Sequence, residues 1–171
     1  MNVPTPRQRC AIYVRVSTKQ QALREQFAQL RKLAEARDYK ITLAESEEIF
    51  LETKRWLWLC ASEMAAAPNS PVKRIPLLSE ARVIDLMWHM FVIFTRDYTD
   101  FCHAYFGFYL HHQPRLRGES EAWEKRVAED PQAALAEHRA RLRAAYELIY
   151  DRLGHATLKK WCEEFPKRFP A

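Results

Sequence analysis

Glycine is scarce in this chain of 171 residues, which contains three glycines and nine prolines. So few glycines exclude a phosphate-binding glycine loop and argue against a loop-rich β-sandwich. Hydrophobic residues make up 48% of the sequence and aromatic residues 12%, which is enough to bury a core. We therefore expect a mainly α fold, organised as one domain with a small appendage.

Long hydrophobic runs are also missing. The apolar stretch 84–94 is interrupted by Asp85 and His89, so it does not read as a membrane span. The apolar run 11–14 near the N-terminus is too short for a signal peptide. The sequence therefore predicts a cytoplasmic protein that makes no membrane contact.

Closely spaced cysteines are the third absence. The four cysteines are far apart and form no Cys-x-x-Cys pair, which excludes a compact zinc knuckle and a disulfide scaffold: Cys10, Cys60, Cys102 and Cys162. There is no His-Glu-x-x-His motif either, and the paired acids at 47–48 and 163–164 have no catalytic partner nearby in sequence. These absences favour a protein that is not an enzyme.

The net charge of +5 is concentrated at one end of the chain. Residues 1–43 contain nine Lys or Arg and three acids, a net charge of +6, whereas the other 128 residues contain 18 basic and 19 acidic residues. A basic segment attracts phosphate groups and acidic surfaces. It predicts a DNA or acidic protein partner that binds through residues 1–43, with an ordinary solvated helix as the alternative.

The hydrophobic pattern predicts about five helices preceded by a short β-α-β segment. Strands are expected at 10–16 and 39–43, with a helix between them over residues 20–37. Further helices are expected at 47–64, 83–94, 95–105, 120–128 and 131–152. Charge and periodicity both change near residue 45, which divides the chain into a basic segment, 1–45, and a helical module, 46–171.

Four of the six histidines and one cysteine lie within 24 residues of the helical module, among large apolar side chains. His89 and His103 are fourteen residues apart, so one unbroken helix would separate them by about 21 Å. They can approach each other only if the chain turns near Thr95. The loop that carries His111 and His112 could then close over the same point.

Two interpretations of this histidine cluster remain open. In the first, the histidines belong to the core and each satisfies one hydrogen bond. In the second they bind a metal ion, zinc or iron, because imidazole and thiolate are suitable ligands for both. The metal-ligating set would then be His89, Cys102, His103, His111 and His112.

The same stretch resembles a known family. Trp88-His89, Thr95, Tyr98, Phe101-Cys102, Gly107 and His111-His112-Pro114 occur in the register of the glycine-rich-domain-containing-protein-like family. Residues 52–59 and 146–153 are similar to its first and later helices, so the resemblance covers about 47–165. It implies an intracellular helical module with a binding or regulatory role, although this chain has no glycine-rich tail.

The N-terminal segment resembles a different group. The run 11–20, which contains Arg15 and Ser17, is similar to the opening of the serine recombinases over about residues 9–43. The resemblance implies that Ser17 attacks a DNA phosphodiester while Arg15 stabilises the charge on the phosphate. DNA binding or strand exchange is therefore the alternative function. The rest of that catalytic domain is missing, and the competing interpretation is a β-α-β cap in which Ser17 caps a helix.

Overall fold

The computed structural model describes residues 20–36, 40–66, 75, 78–112 and 117–170. Helices account for most of these residues, and the mainly α prediction is confirmed. The helices are α1 Gln20–Glu35, α2 Leu43–Ala66, α3 Arg82–Ile93, α4 Thr95–Phe106, α5 Arg117–Glu129, α6 Pro131–Leu153, α7 His155–Lys159 and α8 Phe165–Arg168. A 3-10 turn, Ser79–Ala81, precedes α3, and a π turn, Lys160–Glu164, joins α7 to α8.

The predicted β-α-β opening is wrong in its second strand. The first strand, 10–16, lies outside the described residues, and the helix between the strands is present as α1. Residues 40–42 form no strand, and Leu43 begins α2. The reason is a capping box. The Thr42 amide donates to Glu45 Oε2 over 2.8 Å, and the Glu45 amide donates to Thr42 Oγ1 over 3.2 Å.

The turn expected near Thr95 is confirmed. Helix α3 ends at Ile93, Phe94 departs from helical geometry, and α4 begins at Thr95. Gly107 ends α4 with φ of +79°, a left-handed conformation that favours glycine, and its amide donates to the carbonyls of Cys102 and His103. The break between α3 and α4 lets the two halves of the histidine-rich stretch fold back on each other.

Both termini of helix α6 lie close to where the sequence predicts them. Pro131 occupies its first turn, and the Asp130 carboxylate accepts a hydrogen bond from the Ala133 amide over 2.9 Å. At the other end, Gly154 has φ of +87° and stops the helix. None of the side chains of α5 is buried, and α5 packs beside α6 as a helical hairpin.

The core centres on aromatic rings from α1 to α4. The Phe91 ring lies 5.1 Å from Phe50, 5.1 Å from Tyr98 and 5.2 Å from Phe101, all in edge-to-face arrangements. Phe27 of α1 contacts Phe50 of α2 across the proposed division at residue 45, at 5.8 Å. The residues of α1 thus share one hydrophobic cluster with those of α2, α3 and α4.

The C-terminal residues are fixed to α2 by what we call the C-terminal clasp, formed by Glu45, Glu48, Glu52, Lys160, Trp161 and Arg168. Glu52 is fully buried, and its carboxylate accepts from Trp161 Nε1 at 3.0 Å and from Arg55 at 2.9 Å. Lys160 pairs with Glu48 and Glu52, and Arg168 pairs with Glu45 and Glu48. The clasp therefore holds residues 160–168 against the first half of α2.

No described helix is both long enough and apolar enough to span a bilayer.

Candidate metal site

One face of α3 presents an aspartate and a histidine to the surface. Asp85 and His89 are four residues apart, so their side chains are neighbours on the helix. The Asp85 side chain is 31% exposed and that of His89 is 46% exposed. Both groups are therefore within reach of an ion from solvent.

His112 joins this pair from the loop that follows Gly107. The loop is fixed by Leu110, which is buried and whose carbonyl accepts a hydrogen bond from Tyr98 Oη at 2.6 Å. Two residues later, the His112 side chain lies over α3 and is 14% exposed. The position of His112 is therefore set by the left-handed Gly107, the buried Leu110 and the Tyr98 hydroxyl.

The three side chains converge on one small volume. His112 Nε2 lies 3.1 Å from Asp85 Oδ1, and His89 Nδ1 lies 3.5 Å from Asp85 Oδ2. The two imidazole rings are 4.3 Å apart, and one ligand atom from each residue lies within 4.8 Å of the others. Ligands at typical zinc bond lengths in a tetrahedron are separated by about 3.3 Å. The spacing therefore suits a shared ion after small side-chain adjustments.

Trp88 holds His112 from the side. Its ring meets the His112 ring edge-to-face at 4.3 Å, and its Nε1 donates to Tyr98 Oη at 3.0 Å. Tyr98 therefore accepts from Trp88 and donates to Leu110, linking α3, α4 and the loop through one hydroxyl. Burial raises the pKa of Tyr98 above its usual range, so the hydroxyl keeps the proton that it donates to Leu110.

The charges around Asp85 favour its ionised, carboxylate form. Partial burial raises the pKa of Asp85, but the hydrogen bond from His112 and the charges of His89, His112 and Arg82 outweigh that effect and hold the pKa below its usual value. Asp85 is thus ionised over the whole physiological range. An anionic oxygen flanked by two imidazoles is a suitable ligand set for a divalent ion.

The structure brings together two of the five predicted metal ligands and places the other three elsewhere. Cys102 is buried inside the domain, where burial raises the pKa of its thiol. His103 is exposed on α4, and the ring of His111 packs against Tyr109 at 4.8 Å. The group of potential ligands found among the described residues is Asp85, His89 and His112. The alternative catalytic pair, Arg15 and Ser17, lies outside the described residues.

Sequence reasoning missed Asp85 as a candidate ligand, although a signal was present. An aspartate four residues before a histidine places both side chains on one face of a helix. We interpreted Asp85 only as an interruption of a hydrophobic run. His112 was among the predicted ligands, but its contact with Asp85 depends on the path of the chain after Gly107.

Comparison with models of protein families shows to which family this chain belongs. The family model described as UCP032817-like matches residues 28–126 of this chain. The chain belongs to the UCP032817-like family. The matched region of this family member runs from α1 into α5 and contains Asp85, His89 and His112. No curated protein and no solved structure matches the chain.

The family assignment corrects both resemblances suggested by the sequence. The assignment of residues 47–165 to the glycine-rich-domain-containing-protein-like family is wrong, because the match over this region is to the UCP032817-like family. The assignment of residues 9–43 to the serine recombinases is wrong as well, since no recombinase is found among the matches. Short runs of shared residues suggested both families, and the match across 28–126 replaces them.

Proposed function

We propose that this protein is a helical metal-binding module in which Asp85, His89 and His112 bind one divalent first-row metal ion. The observation that carries the proposal is the convergence of three ligand-type atoms, from α3 and the following loop, within 4.8 Å. Zinc and ferrous iron both accept two imidazoles and a carboxylate, and zinc serves as the probe below.

The exposure of the site indicates the kind of metal centre. Closed structural zinc sites use four protein ligands, whereas sites that act on other molecules keep a position open. Three protein ligands leave such a position here, and the exposed side of His89 faces solvent. The bound ion therefore remains accessible to a further ligand.

The positioning of His112 supports the same function. A mobile histidine costs conformational entropy when it binds a metal, whereas a histidine fixed in advance does not. Trp88 packs against the His112 ring, and the buried Leu110 anchors the loop two residues earlier. The loop is thus preorganised for ligation.

Metal analysis of tag-free protein tests the proposal. After expression in zinc-supplemented medium and gel filtration, the wild type is expected to retain about one equivalent of metal, because an ion held by three protein ligands dissociates slowly. His112→Ala and Asp85→Asn should lose it. His103→Ala and His111→Ala are matched controls, since both histidines are exposed and lie outside the cluster, and they should retain the wild-type content.

Two results would refute this function. One is a wild-type content of zinc, iron and copper below about a tenth of an equivalent, together with no zinc uptake in a titration at pH 7.5. The other is an equal loss of metal in the His111→Ala and His112→Ala variants, since only His112 belongs to the cluster.

A further inference from the structure

An arginine extends the ligand face of α3 by one turn. Arg82, Asp85 and His89 occupy positions i, i+3 and i+7, so Arg82 is the neighbour of Asp85 on the side opposite His89. The Arg82 side chain is exposed, and it forms no ion pair with any described residue. Its charge is one of those that lower the pKa of Asp85.

The nearest carboxylate in sequence does not neutralise Arg82. Glu80 lies in the 3-10 turn before α3, and its Oε1 accepts a hydrogen bond from Tyr146 at 3.2 Å. Its Oε2 accepts from Ser79 at 3.0 Å. Both oxygens of Glu80 are therefore engaged with other groups, and the guanidinium remains available to an external anion.

Metal binding would make this surface positive. Because histidines that bind a metal are neutral, only Asp85 and Arg82 are counted, and their charges cancel without an ion. A divalent ion adds two positive charges, so the loaded site with Arg82 carries a net charge of about +2 and an open coordination position. Such a surface attracts an anion that can bind a metal with one oxygen and an arginine with another.

We propose that the metal-loaded site binds an oxyanion, a carboxylate or phosphate group, with one oxygen on the metal and another on the Arg82 guanidinium. This inference rests on the proposed metal site and names the class of ligand that completes it. Carboxylate and phosphate share the feature that matters, a second oxygen that can accept a hydrogen bond from Arg82 while the first oxygen binds the metal. A monatomic anion such as chloride lacks the second oxygen.

Cobalt-substituted protein tests the inference, because the visible absorption of Co²⁺ reports its ligands. At saturating Co²⁺, acetate and inorganic phosphate are titrated separately at constant ionic strength, with chloride for comparison. We expect a saturable spectral change with acetate or phosphate. Arg82→Gln should load Co²⁺ as the wild type does and bind the anion about tenfold more weakly, because it lacks the charged fork.

Arg96→Gln is the matched control, since Arg96 is an exposed arginine of α4 outside the ligand face. It should bind the anion as the wild type does. A wild type with no protein-bound Co²⁺ spectrum overturns the metal site itself. A normal Co²⁺ spectrum that acetate and phosphate leave unchanged, or change equally in Arg82→Gln, overturns only the oxyanion. A response to one of the two anions identifies which group the site accepts.

Discussion

At the scale of single residues, two buried charges on α2 have opposite energetic consequences. Glu52 is fully buried and is satisfied by Trp161, Arg55 and Lys160. Lys54 is 8% exposed and lies over the Phe50 ring, with its Nζ 4.7 Å from the ring centroid and no acidic partner among the described residues. A paired buried charge is costly to disrupt, whereas an unpaired one is costly to keep.

Lys54→Met is therefore expected to stabilise the protein. Burial lowers the pKa of Lys54 to about 8, and the difference from an ordinary lysine corresponds to about 3 kcal/mol at pH 7. Methionine keeps the length of the side chain and removes this penalty, so chemical denaturation should give a free energy of unfolding higher by about 1–3 kcal/mol. Lys40→Met, at an exposed position, is the control and should change little.

The pH dependence provides a second readout for Lys54. Between pH 8 and about 10.4 the unfolded chain still binds the proton that the folded chain has released, so wild-type stability should rise with pH in this window. Lys54→Met should lack that part of the rise. Equal pH profiles for the two proteins would contradict the assignment of the buried charge.

Asp85 offers a prediction for the metal-free protein. Burial raises its pKa, but the hydrogen bond from His112 and the charges of His89, His112 and Arg82 together outweigh burial and hold the pKa below the usual value. The folded state thus gains stability from Asp85 above about pH 4, and this gain is lost as the pH falls through the lowered pKa. A carboxyl NMR titration should show the pKa of Asp85 rising in His112→Ala. No change in this variant would show that the contact is not formed in solution.

At the scale of secondary structure elements, the loop 107–112 supplies the third side chain of the proposed metal site. It carries His112 and is fixed at Gly107 by backbone conformation and at Leu110 by the Tyr98 hydroxyl. A change in either anchor should affect both folding stability and metal binding. Each anchor is therefore tested with its own variant.

Tyr98→Phe tests the hydroxyl anchor. It removes the hydrogen bond to the Leu110 carbonyl and leaves Trp88 Nε1 without its acceptor, at a cost of about 1–3 kcal/mol in the free energy of unfolding. Because His112 is then less well positioned, zinc affinity measured by competition with a chelator should fall about 10-fold or more. Tyr150→Phe, at an exposed position of α6, should leave both quantities unchanged.

Gly107→Ala tests the backbone anchor. A Cβ at this position would meet nothing within 4 Å, so the cost is the strain of φ at +79°, about 1–2 kcal/mol. Gly118→Ala is the matched control, since Gly118 has an ordinary helical position in α5 and its Cβ would also meet open space. It should stabilise the protein by up to about 1 kcal/mol. Similar effects of the two substitutions in thermal unfolding would contradict this account.

The elements show what local sequence can and cannot specify. Gly107, Pro131 and Gly154 mark helix ends through their own backbone preferences, and the structure confirms all three. The strand at 39–43 was wrong because β-branched residues outweighed a Thr42-Glu45 capping box in our interpretation. Of the three side chains that converge in the candidate site, the sequence analysis named His89 and His112 and missed Asp85. It could not separate His112 from His103 and His111, because the approach of His112 to α3 depends on tertiary packing.

At the scale of the whole molecule, the C-terminal clasp joins the end of the described chain to α2, which is far away in sequence. Trp161 packs edge-to-face on Trp56 at 5.9 Å while its Nε1 donates to Glu52, 109 residues earlier in the chain. Charge and hydrophobicity patterns do not report such a pairing. The sequence therefore predicted α5 and α6, but not the pairing of residues 160–168 with α2.

Glu52→Ala should be strongly destabilising for this reason. It leaves the buried Trp161 indole without its acceptor and removes the carboxylate that Arg55 and Lys160 share, at a cost of about 3–5 kcal/mol in the free energy of unfolding. Glu52→Gln keeps an acceptor for Trp161 and should cost less. Glu47→Ala, at an exposed position of the same helix, should stay within about 0.5 kcal/mol of the wild type in urea denaturation. Equal costs for Glu52→Ala and Glu47→Ala would contradict a role for the clasp.

The central claim, that Asp85, His89 and His112 bind the metal while the buried Cys102 does not, is tested most directly by X-ray absorption at the zinc edge of the loaded protein. The account predicts a first shell of nitrogen and oxygen at about 2.0–2.1 Å, with outer-shell scattering from two imidazoles and no sulfur at about 2.3 Å. The imidazole scattering should fall by half in His112→Ala reloaded at high zinc. A sulfur shell, or the same spectrum in His112→Ala, would contradict it.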